Sequence, residues 1–306
     1  MTSAIRTNMN SVRAHNIFEA NNAQATKSFN NVSTGLRINS VQDNPTNYVI
    51  TEKMRERINS LGQAQQNIQN DTAMLKTADK GMSNIVDILR SLNARALEAA
   101  DDSVQDNDRV NIAKEMTSLM EQINYTALST KYNGKNLLAT ESGKADNATD
   151  IASAATDNVT LQFQVGDDTT AVIAGVTIQN MTLTALGLDT AYANVSAITD
   201  ATTATPLKSA SNNGTVSELQ TALSTALDKA LSGMANVGAL EQRLGYTADD
   251  VSGQIENLEA SVSNIADSDM AKDISDYMKW NVLGQAAQYM LAQSNQSAFQ
   301  VLNLLQ

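Results

Sequence analysis

The sequence holds no cysteine, one histidine, two prolines and only 4 % aromatic residues in 306 positions. Without cysteine there can be no disulfide, thiolate metal site or cysteine nucleophile, and a thiol-free chain leaves the redox compartment open. His15 alone cannot supply the ligands of most zinc sites or sit in a triad away from the N-terminus. A compact core usually leans on aromatic bulk, whereas helices packed side by side manage with Ala, Leu, Ile and Met. No proline interrupts the chain between Pro45 and Pro206, so long helices can run unbroken there. The composition is hostile to enzymes.

Positive charge is also scarce. The 21 basic and 33 acidic residues give a net charge of −12, which would drive little counterion release from phosphates, so nucleic acid is not an expected partner. Residues 141–214 carry eight acids and two lysines, residues 1–60 seven basic and four acidic groups, and no charge follows Lys279. That uncharged end includes Asn281, Gln285, Gln288, Gln293, Asn295, Gln296, Gln300 and Asn303, too polar for hydrocarbon. It also lacks the Lys and Arg of an interfacial helix. Membrane insertion is therefore not expected, and the segment should pack against protein. The opening MTSAIRTNMNSVRAHNIFEA has no apolar run and no small-residue cleavage site, so no secretory signal is expected.

What is present is a seven-residue repeat. Met54, Leu61, Ile68, Leu75, Met82, Leu89 and Ala96 fall seven apart, and most positions three further on are apolar too, the pattern of a coiled-coil seam. Asp43 or Asn44 can cap its start with Pro45 at the first helical position; at 1.5 Å per residue the helix would run on the order of 80 Å. A second seam joins Leu223, Ala230, Val237, Leu244, Val251, Leu258 and Ile265, and the positions four on are spoiled only at Glu241. A shorter helix over about 106–129 presents Ile112, Met116, Leu119, Met120, Ile123 and Ala127 on one face. These helices, from distant parts of the chain, form one bundle.

Between them, residues 140–157 and 189–214 read as aperiodic loops. Val159, Leu161, Phe163 and Val165 alternate with polar residues, Gly166-Asp167-Asp168 turns, and Val172 to Ile178 follows, which reads as a β-hairpin. Each end of the chain has a weak helical stripe: Ile5, Met9, Val12 and Phe18, ending at Gly35, and Ile274, Met278, Val282, Tyr289, Ala292, Phe299, Leu302 and Leu305. Either arm alone buries too little to offset an ordering cost of ~1–2 kcal/mol per residue. Both are expected to be poorly ordered in a free subunit and to fold as copies pack. The fold class expected is mainly α, a long antiparallel bundle or coiled coil built from both chain ends, with a small hairpin-containing region.

Several stretches carry a resemblance. Ser33-Thr34-Gly35-Leu36-Arg37-Ile38-Asn39-Ser40 followed by Asp43-Asn44-Pro45 resembles the signature of bacterial flagellins. So do Tyr132-Asn133-Gly134-Lys135-Asn136-Leu137-Leu138, Ile265-Ala266-Asp267-Ser268-Asp269-Met270-Ala271, and the ending Ala292-Gln293-Ser294-Asn295-Gln296 through Val301-Leu302-Asn303-Leu304-Leu305. Four motifs in order cover about 1–140 and 215–306. The resemblance implies a filament subunit for swimming motility. Residues 1–43 and 267–306 would form an inner tube, 44–140 and 215–266 an outer core, and 141–214 a solvent-facing variable region that packs little. It further implies a homopolymer outside the cell, exported by the flagellar type III apparatus without a cleaved signal, with an export chaperone and cap and junction proteins as partners. The hook–filament junction protein of the same family is the alternative. Leu92-Asn93-Ala94-Arg95-Ala96-Leu97-Glu98 departs from the family's Arg-x-x-Glu-Leu-type patch, which puts recognition by the vertebrate innate receptor in doubt.

The remaining features have bland readings. His15 lacks the partners of a catalytic or metal site and reads as a polar helix position. His-Glu-x-x-His is absent, which rules out a zinc-protease insert. Asp267-x-Asp269 reads as a helix cap rather than a cation site. Residues 141–214 contain no His, Cys or Arg, so an enzyme in that stretch has no base or phosphate cradle. No cofactor or metal is expected. The acceptor triplets at Asn147, Asn158, Asn180, Asn194 and Asn213 are mostly chance in so polar a chain.

Overall fold

The computed structural model describes residues 8–140, 158–168, 170, 172–198 and 215–304. Along the chain come α1 (Met9–Thr34), α2 (Pro45–Ala100), α3 (Asp106–Ser129), β1 (Lys131–Tyr132), β2 (Lys135–Asn136), β3 (Val159–Gln164), β4 (Val172–Ile178), α4 (Leu183–Leu186), α5 (Asp189–Ser196), α6 (Thr215–Ala266) and α7 (Met270–Leu304). The mainly helical class holds. Two compact units divide the chain: residues 1–59 with 254–306, and residues 60–253.

In the first unit, α1 and α7 pack antiparallel along their lengths. At one end Asn8 Nδ2 donates to the Ser294 carbonyl at 3.1 Å and Ser11 Oγ donates to Asn295 Oδ1 at 2.9 Å. Further along, the Phe29 and Tyr277 rings meet with centroids 5.9 Å apart. At the other end, Gly35 stops α1 in a left-handed conformation (φ 73°) that favours glycine, and its N–H donates to Asn31 O. The chain just beyond is cross-tied: Arg37 N donates to Ala266 O at 2.7 Å, and Ser268 N to Gly35 O at 3.0 Å. Arg37 adds its guanidinium, which donates to Ile265 O at 2.6 Å.

Helix starts follow the capping residues seen in the sequence. Asn44 Oδ1 accepts from Asn47 N at 3.1 Å just ahead of Pro45. Asp269 Oδ1 accepts from Ala271 N and Lys272 N, the cap expected of it, while Asp267 accepts from Ser263 Oγ. No cluster of metal-binding side chains occurs among the described residues. Asp43 accepts from the Asn39 and Ser40 amides and pairs with Lys27 at 3.0 Å; the Lys27 ammonium holds its carboxyl below the ordinary value.

The second unit is a conventional apolar core. Leu61, Ile68, Leu75, Met82, Leu89 and Ala96 are buried, as are Leu223, Ala230, Val237, Leu244 and Val251. Ile112, Met116, Met120, Ile123 and Ala127 of α3 join them. In the first unit the same heptads loosen, and Met54, Leu258 and Ile265 are half-buried. Met181 lies against Gly233 of α6, where an added Cβ would sit 2.5 Å from the Met181 methyl and would oblige that flexible side chain to shift.

Arg109 was not foreseen. It is 1 % exposed and closes the α2–α3 corner. Its Nε donates to Ala99 O at 2.9 Å, Nη2 to Asp101 O at 2.6 Å, and Nη1 to Asp106 Oδ1 at 2.7 Å. The buried cation satisfies carbonyls that the end of α2 leaves without helical partners.

Two sequence readings need correction. The hairpin is as expected, with β3 and β4 antiparallel and a register shift between Leu161 and Phe163. Residues 189–196, read as loop, instead form α5, preceded by the single turn α4. Nor does the described part, 158–198, pack little. It buries Phe163, Ile178, Met181, Leu183, Leu186 and Leu188 almost completely. Lys229 Nζ donates to Ala185 O and Leu186 O, Met181 N to Leu138 O, and Tyr192 Oη to Glu121. Residues 141–157 and 199–214, the other loop readings, lie outside the described residues, as do the triplets at Asn147 and Asn213.

Candidate assembly surface

The face on which α1 meets α7 is not the apolar stripe seen in the sequence. Buried on α1 are Asn21, Ala25, Ser28 and Asn31. The less exposed positions of α7 are Tyr277, Trp280, Gly284, Ala287, Leu291 and Ser294, alternating three and four apart as one helix face. Its fully buried positions are small, amide or hydroxyl side chains, with the larger Tyr277, Trp280 and Leu291 half-buried among them. Phe18 lies along it, half-buried.

Many of the apolar side chains point the other way. Met9 and Val12 of α1 and Ile274, Met278, Val282 and Tyr289 of α7 are all exposed, Tyr289 by 78 %. Sequence reasoning singled these six out, and the structure places them on the outside of the α1–α7 pair. Five further exposed apolar residues escaped it: Ile17, Phe29, Met270, Leu283 and Met290. Their signal was present, since Leu283 and Met290 are seven apart and Ile17 neighbours Phe18, but the stripe was narrower than the real surface. Ile5 and Leu305 lie outside the described residues; Phe299 and Leu302 fall within α7, without described side chains.

A groove of about 510 Å³ runs between the helices, lined by Ala14, Ile17, Leu283, Ala287 and Met290 with polar side chains at its edges. From Trp280 onward α7 carries no charge; Lys279, its last cation, lies 4.7 Å from the centre of the Trp280 ring. The end of α7 can therefore enter a protein interface without desolvating ions, while Arg13 of α1 also lines the groove. The exposed apolar set exceeds the scattered single apolar residues of an ordinary surface. His15 on α1 is exposed beside Glu19 at 3.6 Å. No helix among the described residues is long and apolar enough to cross a membrane.

Comparison with known proteins agrees with this arrangement at both chain ends. The model of the bacterial flagellin N-terminal helical region matches residues 5–143, and that of the C-terminal helical region matches residues 219–305. The flagellin of Bacillus subtilis (strain 168) is 32 % identical, over 98 % of this chain and 99 % of its own length. The flagellar filament 30.7 kDa core protein of Treponema maltophilum is also 32 % identical, with the same coverage. A solved structure described as a putative flagellar hook-associated protein from Vibrio parahaemolyticus shares the fold. It has a TM-score of 0.59 at 17 % identity, covering 74 % of this chain and 100 % of that one. From the α1–α7 pair to the heptads of α2 and α6, this chain belongs to the bacterial flagellin family.

Proposed function

We propose that the protein is the structural subunit of a bacterial flagellar filament and polymerises with copies of itself for swimming motility. One observation carries this: the helix pair from the two chain ends fully buries only small and polar residues on its internal seam and leaves Met9, Val12, Met278, Val282 and Tyr289 exposed. A monomer gains nothing from that distribution, while a polymer buries it. Relatives aligned over nearly their whole lengths carry the names flagellin and flagellar filament core protein, which supports the same reading.

Within it, residues 1–43 and 267–306 make the inner tube. Residues 44–140 and 215–266 make the outer core, and 141–214 lie farthest out. Ile5, Phe299, Leu302 and Leu305 serve as intersubunit contacts. The chain performs no catalysis. It leaves the cell through the flagellar export apparatus without a cleaved signal, escorted by a chaperone, and meets cap and junction proteins at the filament ends.

Purified protein seeded with short filament fragments tests the reading by electron microscopy. Long filaments of uniform width are expected. Protein that stays monomeric with its helical content intact, at any seed concentration, would overturn it.

A further inference from the structure

In the second unit, the Asp71 carboxylate has no partner among the described residues. Asp71 of α2 is half-buried, and no described side chain or backbone group donates to it. It sits in a cleft of about 750 Å³ with Asn67 and Asn70 of its own helix, Tyr132 and Asn133 of the β1–β2 turn, and Gln162 and Gln164 of β3. The described side chains lining the cleft around it are neutral, and among them Tyr132 is the only other titratable one. Asn67 is turned toward the hairpin, donating to Gln164 O at 3.5 Å, and the Gln164 amide donates to Gly166 O and Asp168 O. Burial alone pushes the Asp71 carboxyl up to about 6, because no cation offsets the lost hydration.

An open cleft with a lone carboxylate, a rim of amides and a phenol ring suits a basic side chain. The carboxylate supplies the counter-charge, the amide oxygens take the remaining N–H donors, and the ring offers a cation–π face. This chain carries such groups on the same unit. Lys76, Lys80, Lys114 and Arg243 are exposed, and none has a partner among the described residues. We infer that the Asp71 cleft receives a Lys or Arg side chain of a second copy of this chain in the polymer. The assignment rests on the filament reading above. It also suits a subunit of net charge −12, whose copies repel one another unless local pairs of opposite sign fix their contact.

The test is the critical concentration for seeded polymerisation of the full chain, measured for wild type, Asp71→Asn and Asp71→Glu across pH 5 to 8. Asp71→Asn removes the charge and keeps the shape. It should raise the critical concentration roughly three- to tenfold at pH 7.5, as loss of a part-buried ion pair would. Wild type should approach the Asn variant as the pH falls toward 5, while the variant's own curve stays flat across that step, and Asp71→Glu should recover part of the loss. Circular dichroism of each monomer confirms that the fold is intact. If Asp71→Asn polymerises like wild type with the same pH profile, the cleft receives no cation from a neighbour. If wild type itself does not polymerise, the filament reading has failed instead.

Discussion

The two units of this molecule handle apolar side chains in opposite ways. Between residues 60 and 253 the heptads close on themselves: Leu75, Met82 and Leu92 have no exposed surface at all. In the α1–α7 pair the buried positions are Asn21, Ala25, Ser28, Asn31 and Ala287, while Met278 and Val282 are more than 60 % exposed. Both rest on the same helical periodicity. The difference is which face the chain keeps for itself. A core of Leu and Met is self-sufficient, because burying each such side chain gains about 1.5–3 kcal/mol. A seam whose fully buried positions are Asn, Ser and Ala, with its larger side chains only half-buried, sets register with less gain, so the apolar outer face remains to be satisfied by something else.

The largest expected break in this comparison is a truncation. Removing residues 280–306 should abolish polymerisation while leaving the second unit folded, because the lost surface belongs to the outer face of the arm pair. Negative-stain microscopy and circular dichroism together check both halves, and normal filaments from the truncated chain would contradict the division. Next is a matched pair of substitutions. Leu75→Ala should cost about 2–5 kcal/mol in urea unfolding of the monomer, since it empties a closed core. Met278→Ala should cost no more than about 0.5 kcal/mol in the same assay, yet raise the critical concentration for assembly.

A smaller effect is expected at the α2–α3 corner. Arg109→Ala strands the Ala99 carbonyl and takes one of two donors from the Asp101 carbonyl, which also accepts from Val104 N, and should cost about 1–3 kcal/mol of monomer stability. The smallest sharpens the contrast by pH. The Asp71 carboxyl stands at about 6 in the fold against an ordinary 3.8, so the folded state holds its proton more tightly. Its relative stability is therefore greatest below the ordinary value, falls as pH rises toward 6, and is flat beyond. Asp71→Asn should remove that slope and stabilise the monomer at pH 7.5 by a few tenths of a kcal/mol, small because the group is largely solvated. The same change that weakens the polymer should thus strengthen the monomer.

Much of the architecture was legible because long helices repeat their signal. Seven heptads made α2 and α6 readable, Pro45 and Gly35 marked helix ends through their fixed backbone preferences, and alternation over Val159–Val165 announced the hairpin. What escaped was short or contrary to type. The eight residues of α5, Asp189–Ser196, span about two turns, too few for a period to stand above a Thr- and Ala-rich background. Arg109 looks like a solvated charge near a helix start. Only the position of the neighbouring helix end shows that carbonyls surround it. In the arms, the stripe was recognised but its partner was not, because sequence periodicity says which residues share a face and not whether that face turns inward. Asn21, Ser28 and Asn31 carried the answer and gave no apolar signal.

The cross-tie at Gly35–Arg37 and Ala266–Ser268 has a kinematic consequence. Each arm reaches its neighbouring helix through a linker, ten residues from Gly35 to Asn44 and three from Asp267 to Asp269. Left independent, these would be two joints, and each arm could swing alone. The reciprocal backbone bonds, Arg37 N to Ala266 O and Ser268 N to Gly35 O, bridge the two linkers, so that neither can shift without breaking the tie or carrying the other along.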